Sequence, residues 1–513
     1  MSKSKYSVSL DDIFLISGRR IEIDLYNMSI YIKEHGFFRI DDCIYNVKNN
    51  IASYVSMDAV TTFIYEQMFK ARNNRNTITH EYSQHRSLFT QNIGKYISAI
   101  YKTLGIGNSN DINYLRDTKD HTYLCFLNGI VDITKDDISL KPYHEILKKG
   151  KIILNNKIIK RNIIINQETI STGDFYQFAK LAMTNDNKNN LQGFTALKSA
   201  IGYMVSTYKD PSTAKMIFFS DVNNSDKIAN GRSGKSLCSS TLLKQIREVA
   251  IVDGKQYDGN YRFKMENVTS TTDVVVLQDV KPDFDKEVLY NMITNDCEIA
   301  KKYKEKQVIP FELSPKFIAD SNFGINLSGT SDEARFTVIG FSHYWNYDNQ
   351  PIDTFKKRFF SDWNDIEWNK FYNFIFNCCK TYLNKGLSDW RKNEIVAFSI
   401  YEIFDKDLVD EIISILEKRN NFLITPHSTD FWLNNISYFS GDKSPLYSKI
   451  NILKKIMRHL GFTKYSKHHS FRDENGKVSG EKLHWFEKDY SINISNFDNI
   501  KNYKNSQNNT TTF

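Results

Sequence analysis

From about residue 214 the chain settles into short, nearly continuous apolar runs, each followed by a polar turn and a helical stretch. The runs are Lys215–Phe219, Val249–Val252, Asp273–Leu277, Lys316–Ala319 and Phe336–Phe341. Without alternation of polar and apolar positions, such runs predict strands buried on both faces, as in the sheet of an α/β fold. Upstream the pattern is mixed. Strand-like runs at Arg20–Tyr26 and Phe37–Tyr45 sit among helical ones at Met57–Arg72 and Leu88–Thr103, and the turn-rich Gly105–Ile112 closes that region. A strand-like stretch at Thr122–Ile133 and a Lys/Ile/Asn-rich run over 148–166 then lead to helices expected at about 173–183 and 190–207. Residues 363–385 read as one aromatic-rich helix.

Near the C-terminus, Ser444-Pro445 is a cap followed by proline at the first helical position. Ile450, Leu453, Met457 and Leu460 form an apolar stripe, and Gly461 ends the helix. Phe462–Arg472 and Lys477–Phe486 flank Asn475-Gly476, a strong hairpin signal. The expected organisation is an N-terminal α+β domain over 1–110, a helical lead-in over 111–207, an α/β core over 208–385, a winged-helix-like region over 386–495 and a disordered tail over 496–513. No repeat of solenoid or propeller period is present.

Composition changes this picture little. Hydrophobic content of 41% and charge of 25% suit a water-soluble globular chain, and a net charge of +8 only weakly favours an anionic partner. No apolar run is long enough to span a bilayer, and MSKSKYSVSLDD lacks the apolar core of a signal peptide. The cysteines, Cys43, Cys125, Cys238, Cys297, Cys378 and Cys379, form no CxxC pair and no zinc-type cluster. Reduced core thiols in a cytoplasmic protein are therefore expected.

The candidate chemistry centres on Asn230-Gly231-Arg232-Ser233-Gly234-Lys235-Ser236, between the run KMIFF and a helix expected over Leu237–Arg247. A strand, a glycine-bearing loop and a helix N-terminus are what cradling phosphate requires. Gly231, Arg232, Ser233, Gly234, Lys235, Ser236 and Leu237 are the expected nucleotide contacts, with Lys235 on the β- and γ-phosphates and the Ser236 hydroxyl on Mg²⁺. The loop departs from the full GxxxxGK[ST] pattern in having Ala229 where the first glycine belongs. Downstream, Asp279 ends the apolar run TDVVVLQD and is the second expected Mg²⁺ ligand. Asn322, after SPKFIADS, can orient the attacking water. Arg335, after the loop SGTSDEA, can reach across a subunit boundary to transition-state charge.

This order of motifs resembles superfamily 3 helicases, and within them the phage and plasmid primase-helicase group related to poxvirus primase-helicases. Leu127-Asn128-Gly129-Ile130-Val131-Asp132-Ile133, followed by Lys141-Pro142-Tyr143, looks like that group's pre-helicase segment. The sequence QDVK is similar to the viral T-antigen form of the metal-binding motif. The resemblance covers about 120–385 and implies an AAA+-like P-loop ATPase core using ATP and Mg²⁺. Family members often carry two adjacent acids where this chain has Gln278-Asp279, which leaves the general base open between Glu333 and Asp320. It also implies a pore hairpin, here Lys301, Lys302, Tyr303, Lys304 and Lys306, touching DNA phosphate and sugar. Lys464, Lys467 and Arg472 are expected to meet phosphate from the C-terminal hairpin.

The reading is an ATP-dependent replicative DNA helicase of a phage or mobile element, a homo-oligomer expected to be hexameric, hydrolysing ATP between subunits on single-stranded or forked DNA. A primase or polymerase is a further expected partner, and no membrane is. The alternatives are a primase-helicase, and a P-loop ATPase serving packaging, remodelling or defence. A non-catalytic initiator with a degenerate loop is motivated by Ala229 and Gln278.

Overall fold

Residues 8–17, 20–74, 80–104, 112–184, 190–222, 231–257, 265–303, 306–327, 330–418, 427–428, 432, 434–440, 444–472 and 478–488 are described by a computed structural model. They fall into two units, one formed by 1–165 with 269–271 and the other by the remainder.

In the first unit, β1 (Phe14–Ser17) and β2 (Arg20–Ile23) pair antiparallel, and α1 (Leu25–Glu34) follows. Asp24 caps α1 by accepting the amides of Tyr26 and Asn27, so the strand read at Arg20–Tyr26 stops three residues early. The run read at Phe37–Tyr45 is two strands, β3 (Phe37–Ile40) and β4 (Cys43–Lys48), broken by a turn at Asp41 with φ +49. With β5 (Ile51–Val55) they form a meander. The helices α2 (Met57–Asn74), α3 (His80–Gln91) and α4 (Ile93–Leu104) share a core with α1 built around Met28, Ile32, Val60, Ile64, Phe89 and Ile100.

The segment expected as a helical lead-in is strand-rich in its first half. It holds β6 (Thr122–Phe126), β7 (Gly129–Ile133) and β8 (Ile138–Lys141), then the short helix α5 (Tyr143–Ile146), β9 (Ile153–Leu154) and β10 (Ile158–Ile159). One sheet runs β10-β6-β7-β8, while β9 extends the meander along β5. Asp132 of the NGIVDI run is buried and is neutralised by Lys141 at 2.6 Å and His121 at 2.7 Å.

The second unit opens with α6 (Asp174–Leu181) and α7 (Leu191–Val205). Its apolar runs form β11 (Met216–Asp221), β12 (Val249–Asp253) and β13 (Val274–Gln278). After α8 (Tyr290–Thr294) comes a hairpin of β14 (Cys297–Ile299) and β15 (Gln307–Ile309), then β16 (Lys316–Ser321), α9 (Thr330–Arg335) and β17 (Phe336–Phe341). The five long strands are all parallel, in the order β12-β13-β16-β11-β17. This is an α/β core, and the buried runs were the signal for it.

After α10 (Pro351–Phe355), α11 (Asp365–Lys385) lies against α7 at close range: a Cβ on Gly202 would fall 2.2 Å from the Cys378 carbonyl oxygen. Lys316, buried at the start of β16, donates to the carbonyls of Tyr203 and Ser206 at 2.7 and 2.6 Å. A cation at the C-terminal end of α7 satisfies carbonyls that have no helical partner.

The C-terminal part contains α12 (Lys392–Ile403), α13 (Lys406–Glu417), β18 (His427–Ser428), α14 (Leu446–His459), β19 (Phe462–Arg472) and β20 (Val478–Lys488). Its strands run β18-β20-β19, over a core that includes Ile400, Ile412, Trp432, Leu453, Met457 and Phe486. Among the described residues, no helix is long and apolar enough to cross a membrane.

His459 at the end of α14 is buried beside the Ser399 hydroxyl, 3.0 Å away, and burial pushes its pKa down to about 3. Its folded value lies below the ordinary 6.5, so an unfolded chain takes up a proton that the folded one refuses. Stability is complete above that ordinary value and falls as pH drops towards 3, by about 1.4 kcal/mol per pH unit. The guanidinium midpoint of the C-terminal part should therefore fall between pH 7 and pH 5. His459→Gln should flatten that dependence; an unchanged slope in the variant would assign it elsewhere.

Candidate functional site

In a parallel sheet every strand delivers its following loop to the same edge, which is where open α/β sheets bind ligands. Here β16 lies between β11 and β13, with Ser220 level with Ser321 and Leu277 level with Ala319. Asn322 is thereby carried between the loop that follows β11 and Asp279, which follows β13.

The phosphate-loop residues have the backbone such a loop needs. Gly231, Arg232 and Gly234 take φ of +73, +65 and +95. Two glycines do this without steric penalty, whereas Arg232 does it at a cost and lays its guanidinium 4.8 Å from the centre of the Tyr347 ring. Gly234 is also packed: a Cβ there would lie 2.5 Å from the Phe178 ring. Helix begins at Lys235, earlier than the Leu237 expected, and Leu237–Thr241 form a π-type turn within it.

Lys235 is 5% exposed and committed to three partners. Its ammonium lies 2.6 Å from Asp221 Oδ1 and donates to Ser233 Oγ and Asn322 Oδ1, both at 3.1 Å. Ser233 also donates to Asp221. The second carboxylate oxygen of Asp221 is buried with no hydrogen-bond partner among the described residues. Asp221 did not figure among the expected residues; its only sequence signal is an acid closing an otherwise apolar run.

Two acids sit at the next strand ends in contrasting surroundings. Asp320 is 1% exposed, with Oδ1 accepting the Asp279 amide at 3.0 Å and Oδ2 accepting the Ser239 hydroxyl at 2.7 Å. Burial raises its pKa. Both oxygens are spent on bracing the Asp279 turn to the phosphate-loop helix, so Asp320 is a structural brace and not a free base. Gln278 is likewise engaged, donating to Ser240 Oγ at 2.7 Å. Asp279, at φ +53, is half-exposed and lies 3.3 Å from Lys255. Ser236 is exposed too. A hydroxyl and one carboxylate suit Mg²⁺, which keeps waters and phosphate oxygens as its remaining ligands. Among the described residues no cluster of three or more His, Cys, Asp or Glu offers a self-contained metal cage.

Arg335 and Glu333 lie at the other end of the sheet. Phe336 is level with Met216, so Arg335 stands beside the start of β11, while the phosphate loop follows its end. Six strand residues separate them, about 20 Å. The Arg335 guanidinium rests 4.9 Å from the Tyr290 ring centre and donates to the Ser331 carbonyl at 3.1 Å. Its Nε is buried without a partner. Tyr290 in turn donates its hydroxyl to the buried Asp332. The Glu333 carbonyl accepts from Lys215 at the same end, so Glu333 is not a base for its own subunit's loop.

The hairpin expected over this segment is present as β14 and β15. Glu298 pairs with Val308, and its tip carries Lys301, Lys302 and a fully exposed Tyr303 at φ +60. Lys306 forms an ion pair with Glu298 across the hairpin, so its charge is partly committed. Lys304 lies outside the described residues. On β19, Lys464 and Arg472 share one face, whereas Lys467, at an odd position, lies on the other. The three therefore do not face one phosphate backbone together.

No family model matches the sequence, and no curated protein matches it. Among solved structures, the C-terminal region of NrS-1, in its apo A form, aligns in two versions. Each is 12% identical and covers 90% of this chain, with 98% and 99% of the NrS-1 chains covered at TM-scores of 0.40 and 0.37. The JCV helicase, bound to a thiazolopyridine compound, is 12% identical over 44% of this chain and 74% of its own, at a TM-score of 0.20. Functional weight therefore rests on the chain's own residues.

Asp221→Asn should strand the Lys235 ammonium without a counter-charge in a buried place. Removing one partner of such a pair costs about 3–5 kcal/mol. The variant should melt below the wild type, and ATP should raise its melting temperature by more than it raises that of the wild type, because phosphate oxygens replace the missing carboxylate. An equal ATP-induced rise in both proteins would show that Lys235 does not meet the triphosphate.

Proposed function

We propose that the chain is an ATP-dependent DNA helicase of the superfamily 3 type, acting as a ring of identical subunits, a hexamer, in replication of a phage or mobile element. The convergence of Lys235, Asn322 and Asp279 at the ends of the neighbouring strands β11, β16 and β13 carries this reading. The loop backbone and the helix N-terminus supply the remaining positive potential for phosphate.

In this mechanism Lys235 leaves Asp221 for the β- and γ-phosphates, and the Asn322 amide it releases is free to orient a water on the γ-phosphorus. The P–O bond to ADP breaks as the water's oxygen bonds to phosphorus and its proton passes to a phosphate oxygen, and the charge that builds on the transferring group needs a further cation. Ser236 and Asp279 would hold Mg²⁺, which would supply positive charge to offset that of the phosphates. Arg335 cannot reach its own loop, so it serves the loop of the next subunit. Work is delivered through Lys301, Lys302 and Tyr303, whose hairpin lies in the chain segment that joins the end of β13 to the start of β16. Lysine there holds phosphate without reading sequence, and Tyr303 packs on sugar or base.

Lys235→Ala and Arg335→Ala should each abolish hydrolysis, the second by roughly 10³-fold or more while ATP binding persists. Mixing the two dead proteins is the decisive measurement. Some interfaces in a mixed ring join an intact loop to an intact finger, so part of the activity should return. If mixed rings form by native mass measurement and stay inactive, the site is not shared.

A further inference from the structure

The base of the β14–β15 hairpin and Arg335 stand at the same edge of the parallel sheet. Ile318 of β16 and Thr337 of β17 are both level with Ile217 of β11, so β16 and β17 start side by side with β11 between them. The hairpin leads into the start of β16 through residues 310–315, and Arg335 immediately precedes β17. Their own chain's phosphate loop follows the far end of β11. A displacement of the hairpin therefore has a shorter path to Arg335 than to Lys235.

One continuous set of contacts fills that path. Asp332 and Arg335, at i and i+3 of α9, share a face of that helix, and both engage Tyr290, the first residue of α8. The Tyr290 hydroxyl donates to Asp332 Oδ1, while the Arg335 guanidinium lies 4.9 Å from the ring centre. Asp332 is 4% exposed, and its other carboxylate oxygen lies 3.4 Å from Lys286. The ring is thus fixed by an acid that is itself held in place. At the other end of α8, Thr294 Oγ1 donates to the Tyr290 carbonyl at 3.1 Å, and the Asn295 amide donates to the Asn291 carbonyl at 2.8 Å. Asp296 then accepts the Phe311 amide at 2.8 Å and closes the hairpin across its base. Leu289 and Ile293 share one buried core with Cys297, Ile299 and Ile309 of the hairpin. Coupling between sites is carried by such an unbroken run of packed groups, because a close-packed core shifts as a piece.

The tip of the same hairpin carries Lys301, Lys302 and the fully exposed Tyr303. We infer that Tyr290 is a positioning residue that ties Arg335 to the β14–β15 hairpin, so that DNA held at one chain's hairpin sets the rate of hydrolysis at the neighbouring copy's loop. The inference rests on the proposed roles of Arg335 and of DNA. It adds which copy's hydrolysis the DNA controls, and through which residue. The Tyr290 ring seats the guanidinium, and its hydroxyl makes the connection to α9.

The test uses the mixed rings of Lys235→Ala and Arg335→Ala chains, with ATP hydrolysis measured with and without a single-stranded oligonucleotide. At each working interface the Lys235→Ala chain supplies the finger and the Arg335→Ala chain supplies the loop. Tyr290→Phe added to the finger-supplying chain should lower the DNA-stimulated rate about tenfold, the scale of one hydrogen bond to a charged group. KM for ATP should stay within about twofold, because the change acts on the transition state. The same substitution in the loop-supplying chain should leave the stimulated rate unchanged, whereas damage to the fold would act from either chain. Asp296→Ala, at an exposed position, cuts the other end of the link and is the second variant, with the same dependence on the chain that carries it. Equal effects from either chain, or none from the finger-supplying chain with both variants, overturn the inference while the recovered activity keeps the shared site standing. An oligonucleotide that binds the wild type without changing its hydrolysis also overturns it. A mixture that forms mixed rings and recovers no activity overturns the shared site and this inference together.

Discussion

A buried ammonium at the end of a hydrophobic strand organises the second unit. Lys235 has almost no access to water, so its charge is tolerable only if nearby atoms replace hydration. Three do: the Asp221 carboxylate at the end of its own preceding strand, the Ser233 hydroxyl within the loop and the Asn322 amide oxygen from the adjacent strand. Each partner comes from a different segment, so satisfying one charge fixes the loop, β11 and β16 together. The same requirement makes the site switchable. On the proposed reading, phosphate would offer Lys235 a stronger set of acceptors, and taking them would free Asn322 for a second task.

β16 transmits this constraint because both of its ends are polar and buried. At its start Lys316 binds the last carbonyls of α7, and at its end Asp320 binds the Asp279 amide and the Ser239 hydroxyl. A strand held at both ends by charge-assisted bonds resists sliding against its neighbours, which an apolar strand alone does not. Asp320 therefore does for the Asp279 turn what Asp221 does for Lys235.

Much of this was legible in the sequence, and the parts that were not share a cause. The five buried strands, the helix at 365–385 and the hairpin from Phe462 stood out because burial on both faces, helical period and an Asn-Gly turn are local signals. Lys235, Asp279 and Asn322 were recoverable from spacing. Asp221, the bracing role of Asp320 and the contact of Gln278 with Ser240 were not, because each depends on which strands lie side by side, and strand order is not a local property. That Lys467 lies on the other face of β19 from Lys464 and Arg472 was hidden for a simpler reason: a run of basic residues obscures the two-residue alternation that sends its members to opposite faces.

The position of Arg335 follows from the same geometry and sets the scale at which the site is complete. In a parallel sheet the residue before a strand and the loop after its neighbour are at opposite edges, and no side chain spans that distance. Arg335 is nonetheless built as a functional group would be, with its guanidinium held on Tyr290, which is itself fixed by Asp332, and with Nε left unspent. A surface arginine kept only for solubility would need neither the ring nor the buried acid beneath it. On the proposed reading, the edge of the sheet opposite the loop is where a neighbouring copy's loop would be met, so that one chain would supply half of each of two sites.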